Sequence, residues 1–97
     1  MNIISEEKLD KYFKITSQAL EEAKKSKCKN LKDKNLKESR HEFLEMIECY
    51  YKDALHFKEK KDFVNSFACL NYAHGWLDAG ARLKIFNVKN NKLFASD

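Results

Sequence analysis

DFVNSFACLNYAHGWLDAGARLKIF, residues 62–86, is the stretch whose reading decides the fold. Asp62 follows the charged run Lys58-Glu59-Lys60-Lys61 and precedes an apolar-periodic segment, the position of a helix N-cap. Phe63, Phe67, Leu70, His74, Leu77, Ala81 and Ile85 then recur at threes and fours, which is one face of a helix. Tyr72, Trp76 and Leu83 fall on the opposite side, with Ala68, Cys69 and Ala79 nearby. A helix apolar on more than one side is covered on more than one side, by its own domain or by another chain. Gly75 and Gly80 each cost roughly 1 kcal/mol of helix propensity relative to alanine. With Ala73, Ala79 and Ala81 they leave little side-chain bulk, so a neighbour can approach closely.

Outward from this helix, the chain has room for one core. Ninety-seven residues suit a single domain, 1–97, and with no proline and only two glycines there is no turn chemistry for a multi-stranded sheet. The fold expected is an all-α, up-down-up three-helix bundle with helices at about 5–27, 35–58 and 62–86. Ser5 caps the first, Glu6 and Glu7 suit its positive end, and Leu9, Phe13, Thr16, Leu20 and Ala23 form its stripe. Phe43, Ile47, Tyr50, Ala54 and Phe57 form the stripe of the second, with Leu44, Tyr51 and Leu55 as a weaker one. Its start is open between a capping box at Ser39-Arg40-His41-Glu42 and an earlier position near Asp33 or Asn35. The short turn KEKKD makes the second and third helices antiparallel neighbours. Residues 87–97 lose helical period, and form either a frayed tail or one pinned by Val88, Leu93 and Phe94.

Charge is local. The net of +4 comes from residues 24–40, which carry +6 against −2 for residues 1–23 and zero for residues 41–97. Cys28, Cys49 and Cys69 are an odd number without a CxxC pair, as in a reducing cytoplasm and unlike a zinc ribbon or a secreted disulfide scaffold. MNIISEEK is not a signal peptide, and no apolar run approaches the roughly 20 residues that span a bilayer. A cytoplasmic protein without membrane contact is expected.

Within the third helix, Asn71-Tyr72-Ala73-His74-Gly75-Trp76-Leu77-Asp78-Ala79-Gly80-Ala81-Arg82-Leu83 resembles the signature of an archaeal family of unknown function, domain-of-unknown-function family 357. Tyr50-Tyr51-Lys52-Asp53-Ala54-Leu55-His56-Phe57 resembles the second-helix pattern of the same family. One departure stands out: Lys60-Lys61-Asp62 replaces an expected glycine before the aspartate. The resemblance implies an archaeal source and a small helical bundle. It implies no activity.

Three constellations bear on function. Asn71, His74 and Asp78 sit within an apolar face, and Tyr50, Asp53 and His56 of the second helix are placed to meet them. Such Asp/His spacing is what a metal site in a bundle core uses, and a His–Asp pair can also serve as acid and base. The plainer account is a buried network that satisfies its own hydrogen bonds and sets helix register. Tyr72, Trp76 and Leu83, with Phe86 at the edge, form an apolar patch of the residue types found in interface centres. The alternative is that the neighbouring helices cover it. Lysines at 24, 25, 27, 29, 32, 34 and 37 can track phosphates, but no aromatic is interleaved to stack a base and only Arg40 is there to read one. A solvated lysine loop over 24–38 is the plainer account.

The sequence therefore predicts a non-enzymatic interaction module, self-associating as a homodimer or docking on a protein partner through the third helix, with Tyr72, Trp76, Leu83 and Phe86, and the Tyr51/Asp53/His56 side of the second. The runner-up is a small-ligand or metal site on Asp53, His74 and Asp78, and the third is nucleic-acid binding through 24–40. No cofactor, metal or catalytic residue is assigned.

Overall fold

The computed structural model describes residues 4–26, 34–90 and 92–94. It contains α1 (Glu6–Lys25), α2 (Lys34–Glu59) and α3 (Phe63–Arg82), with no strand among the described residues. The helices pack together in a body of 47 × 23 × 21 Å. Asp10 pairs with Lys58 and Lys24 with Glu48, both at 2.6 Å, so α1 and α2 run antiparallel. Tyr50 on Tyr72 and Phe43 on Trp76 make α2 and α3 antiparallel as well. The expected up-down-up bundle results.

α3 packs against both other helices. Leu70, Ala73, Leu77 and Ala81 are all but inaccessible. They divide between two clusters of the core. Leu9, Phe13, Ala54 and Leu70 fill the end near the α2–α3 turn. Ala19, Leu20, Ala23, Ile47, Ala73, Leu77, Ala81, Ile85 and Phe86 fill the other. Register between α2 and α3 is pinned where the fully buried Ser66 hydroxyl donates to the Ala54 carbonyl at 2.7 Å.

Ser5 and Asp62 cap α1 and α3 as their positions imply, accepting from the Lys8 and Asn65 amides at 3.1 and 3.2 Å. α2 begins at Lys34, so Ser39 is inside the helix and the capping-box start is corrected. Residues 27–33, which hold Cys28 and the middle of the expected lysine loop, lie outside the described residues. Lys24, Lys25, Lys34 and Lys37 on either side belong to helices.

Both ends of α3 turn on a lysine. Lys61 (φ 61°) donates to the Lys58 carbonyl and Asp62 to that of Phe57, each at 2.9 Å. Lys84 (φ 64°) donates to Ala81 at 3.2 Å and Ile85 to Gly80 at 2.9 Å. These are paired Schellman closures with a left-handed residue just past the helix. Lys61 is the position where the family resemblance leads one to expect glycine, and it holds the left-handed conformation that glycine adopts without a Cβ penalty.

The second closure shortens α3 to Arg82 from the expected 86 and turns Phe86 back over Gly80. A methyl group on Gly80 would overlap Cε2 and Cδ2 of the Phe86 ring. Phe86 is therefore fully buried, and its expected place in an exposed interface is corrected. Beyond it the chain stays on the bundle. Leu93 and Phe94 are buried and Val88 packs against the same core.

Candidate functional site

Two faces of α3 carry the residues that the sequence singles out. The first looks toward α1. His74 projects from the middle of α3 with Asp78 one turn on, its Nε2 3.6 Å from Asp78 Oδ1. Thr16 of α1 meets the other ring nitrogen, Oγ1 to Nδ1 at 3.4 Å. With Nε2 facing a carboxylate, the ring proton belongs on Nε2, and the Thr16 hydroxyl donates to Nδ1. Both separations are long for hydrogen bonds.

Around this group lies a cleft of about 250 Å³. α3 contributes Leu70, Asn71, Gly75 and Asp78 beside His74, and α1 contributes Tyr12, Ile15 and Thr16. Leu70 and Thr16 are buried floor, Asn71 and Gly75 are exposed rim, and the side chains of His74 and Asp78 keep 23% and 28% of their surface open. The Tyr12 ring is fixed edge-on to Phe67, with centroids 5.0 Å apart. Among the described residues, no atom beyond its chain neighbours and its own helix backbone lies within 4 Å of where a Cβ would stand at Gly75, so none of them requires a glycine there.

The second face is the seam between α2 and α3. Tyr50 stacks on Tyr72 at 5.3 Å with ring planes 22° apart. Trp76 is half-buried against Phe43, whose ring meets it edge-on at 4.8 Å. Tyr72 and Leu83 are 62% and 59% exposed. Asp53 lies on the same seam. Burial is the main cause that raises the Cys69 thiol above its ordinary range, and the nearby Asp53 carboxylate adds to it.

The six residues of the expected polar cluster thus divide. Asn71, His74 and Asp78 come together on the α1 side. Tyr50 joins Tyr72 on the α2 seam, Asp53 sits near Cys69, and His56 is exposed with its ring against Phe57. The facing of Asp53 and His56 onto His74 is corrected: the helix opposite His74 is α1. Sequence reasoning missed Tyr12, Ile15 and Thr16. The available signal was Thr16, a hydroxyl inside the apolar stripe of α1.

Thr16 is 2% exposed and not presented as a nucleophile. Among the described residues no group of three His, Cys, Asp or Glu side chains is placed to hold a metal ion. Among them also, no helix is long and apolar enough to cross a membrane. No curated protein and no solved structure matches the chain. A family pattern does, and it takes in both faces of α3, the α2–α3 turn and the closure at Phe86: over residues 11–86 the chain belongs to the family described as protein of unknown function DUF357.

Proposed function

We propose that the protein is a non-enzymatic interaction module that self-associates through the seam of α2 and α3. The observation that carries this reading is the composition of the outer side of α3. From Phe63 to Leu77 the helix holds no Asp, Glu, Lys or Arg, in a chain that is 35% charged. Yet Val64, Ala68, Tyr72 and Leu83 of α3 and its cap are exposed. Soluble surfaces scatter single apolar residues, but a whole uncharged helix side with half-buried aromatics behind it marks a contact surface. Tyr50, Tyr72 and Trp76 are of the types that anchor interfaces.

A second copy is the occupant that suits it. A two-fold axis sets the same patch against itself, which a charged patch resists and an uncharged one does not. α3 is roughly 30 Å long, and two adjacent helices about 10 Å wide offer on the order of 600 Å² per protomer. Stable interfaces use about 800 Å² per partner, so a dimer built on the seam has to draw in its rim as well to reach that size. Nucleic-acid binding through 24–40 is less well supported, because Arg40 is spent on backbone carbonyls and Lys24 on Glu48.

Light scattering coupled to size exclusion tests the reading. Wild type is expected to elute as a dimer, and Tyr72→Asp with Leu83→Asp as a folded monomer, since both side chains are exposed and neither substitution opens the core. A wild-type monomer at concentrations above about 100 μM, weak even for transient contacts, refutes it.

A further inference from the structure

At the end of the bundle away from the α2–α3 turn, three parts of the chain meet. Arg40 of α2 holds them there, donating to the Ala23 and Ser26 carbonyls at the end of α1 and to the Ile85 carbonyl just past α3. We infer that this end is a docking surface for the phosphate backbone of a nucleic-acid duplex, separate from the proposed self-association.

Charge is the first ground. Residues 82–92 hold four cations, Arg82, Lys84, Lys89 and Lys92, and no acid. The zero balance of residues 41–97 conceals them, because most of the acids that offset them lie on α2. All four are exposed, and among the described residues none is in an ion pair. The segment folds back beside α1, so that Lys25 and Lys89 line one open groove of about 530 Å³ together with Asn87 and Asn90. Glu22 is the acid of that groove, and one of its carboxylate oxygens is buried. Lys25 meets Glu21 only at 3.8 Å, between largely exposed side chains, a pair of little worth that a phosphate can displace. The run 24–40 does not make this surface by itself, since Arg40 and Lys24 are engaged; the fold supplies the rest from the far end of the chain.

The second ground is that the cations are carried on a fixed segment. Leu93 and Phe94 are buried in the core. The Asn90 side chain accepts from the Lys92 amide at 3.0 Å, and its carbonyl from the Leu93 and Phe94 amides at 3.1 and 2.9 Å. Folding has therefore already met the cost of ordering Lys89 and Lys92, which binding would otherwise bear.

The third ground is what this end lacks. Phe86 and Phe94 are the aromatic residues of 82–94 and both are buried, so no ring is offered for a single-stranded base to stack on. From Lys84 to Lys92 every apolar side chain is buried or half-buried, which leaves no anchor for a lipid surface. Lysine ammoniums suit phosphates, which carry charge without sequence. A DNA duplex presents one such charge per about 1.7 Å of its axis, so a bundle 23 × 21 Å across spans roughly a dozen of them.

Fluorescence anisotropy tests this with the full chain and a labelled duplex of about 20 base pairs, made once as DNA and once as RNA. Expected is micromolar binding at about 50 mM salt, equal for a scrambled sequence, with log K falling against log salt at a slope of about −4 to −5 for four to six phosphate contacts. Binding of either duplex supports the surface, and the tighter one names the source. Lys25→Gln, Lys89→Gln and Lys92→Gln together should weaken binding at least tenfold and flatten the slope by about 3. Lys11→Gln, Lys52→Gln and Lys60→Gln change the net charge equally but lie away from this end, and should leave the slope unchanged. All six lysines are exposed, so both triple variants should keep the wild-type circular dichroism. No saturable binding up to about 100 μM, well above the micromolar range, overturns the inference. So does an equal effect of the two triple variants, or tighter binding of the single strand. Two other results assign the lysines elsewhere and overturn it as well: capture by phosphatidylglycerol vesicles that exceeds duplex binding, or salt-reversible growth beyond a dimer in light scattering that the first triple variant abolishes.

Discussion

Replacing Arg40 by alanine should be among the most damaging single changes outside the apolar core. Its guanidinium ties three parts of the chain together. Nη2 donates to the carbonyls of Ser26 at 2.8 Å, Ala23 at 3.1 Å and Lys24 at 3.2 Å. Nη1 donates to the Ile85 carbonyl at 3.3 Å and to Ser26 Oγ at 3.4 Å. Phe86 lies under the same group, its ring centroid 5.5 Å from Cζ. Ala23 and Lys24 are among the last carbonyls of α1, at its negative end, and the Ala23 carbonyl accepts from the Ser26 amide and hydroxyl as well.

A hydrogen bond to a charged group is worth about 1.5–3 kcal/mol. The five here share one donor and some of the carbonyls can rehydrate, so they do not add in full. A loss of about 3 kcal/mol for Arg40→Ala follows, with the lost cation–π contact included. Arg40→Lys should cost about half of that, since an ammonium cannot reproduce the planar fork. At roughly 4–8 °C per kcal/mol for a domain of this size, the alanine variant should melt about 12–24 °C lower. Urea denaturation followed by circular dichroism measures both variants. Lys24→Ala is the control: it removes an equally cationic neighbour whose half-exposed pair with Glu48 is worth under about 1 kcal/mol. The reasoning fails if Arg40→Ala falls within about 0.5 kcal/mol of wild type, as ordinary surface substitutions do, or if it matches Lys24→Ala.

Lys61→Gly and Lys84→Gly should each raise stability by about 0.5–1 kcal/mol in urea titrations, because both lysines hold φ near +60°. The two gains should add, since Lys61 closes α2 and Lys84 closes α3, at opposite ends of the third helix. Alanine at the two glycines should act in opposite directions: Gly80→Ala overlaps the Phe86 ring and costs about 1–3 kcal/mol, whereas Gly75→Ala meets nothing and gains up to about 1 kcal/mol, both read as shifts in Tm. The Asp10 carboxylate, hydrogen-bonded to Lys58, holds the ammonium above its ordinary 10.5 against the opposing effect of burial. A raised lysine stabilises the fold below its unfolded pKa and loses that contribution as pH rises through the folded one. Wild type should therefore exceed Lys58→Met by a few tenths of a kcal/mol at pH 7, a gap that closes above about pH 10.5 in a pH series of urea midpoints.

How much of this was legible in the sequence follows from what periodicity can carry. The helices and the caps at Ser5 and Asp62 are local features, and the structure has them within a few residues of the expected limits. The end of α3 is not local in the same way. A lysine in the left-handed conformation leaves no mark in the sequence, so the apolar period of Leu83, Ile85 and Phe86 reads as more helix. Gly80 was visible, but its reason, a ring folded back from six residues on, was not. The pairing of His74 with Asp78 is fixed by helical geometry and was legible. Which helix faces them depends on a rotation of α3 about its axis, and an apolar pattern on both sides leaves that rotation undetermined. Asp53 and His56 were placed opposite His74 for that reason.

The same comparison bears on whether the polar groups near His74 merely hold the bundle together. A register-setting contact is present in this protein at Ser66: fully buried, reaching across to a backbone carbonyl at 2.7 Å. Deleting it removes a buried side-chain contact between α2 and α3, and a buried hydrogen bond of that length favours one alignment of the two helices. His74 is held differently. Its contacts to Thr16 and Asp78 are 3.4 and 3.6 Å, its side chain is partly open, and an exposed glycine stands next to it. Bonds of that length contribute little to register, and water can replace them when they are lost. A structural network would be expected to close up around the ring, as the core has closed around Ser66. The looser geometry leaves the register of the bundle to contacts such as that of Ser66, so substitutions on the α2–α3 seam can be tested while Ser66 and the core stay untouched.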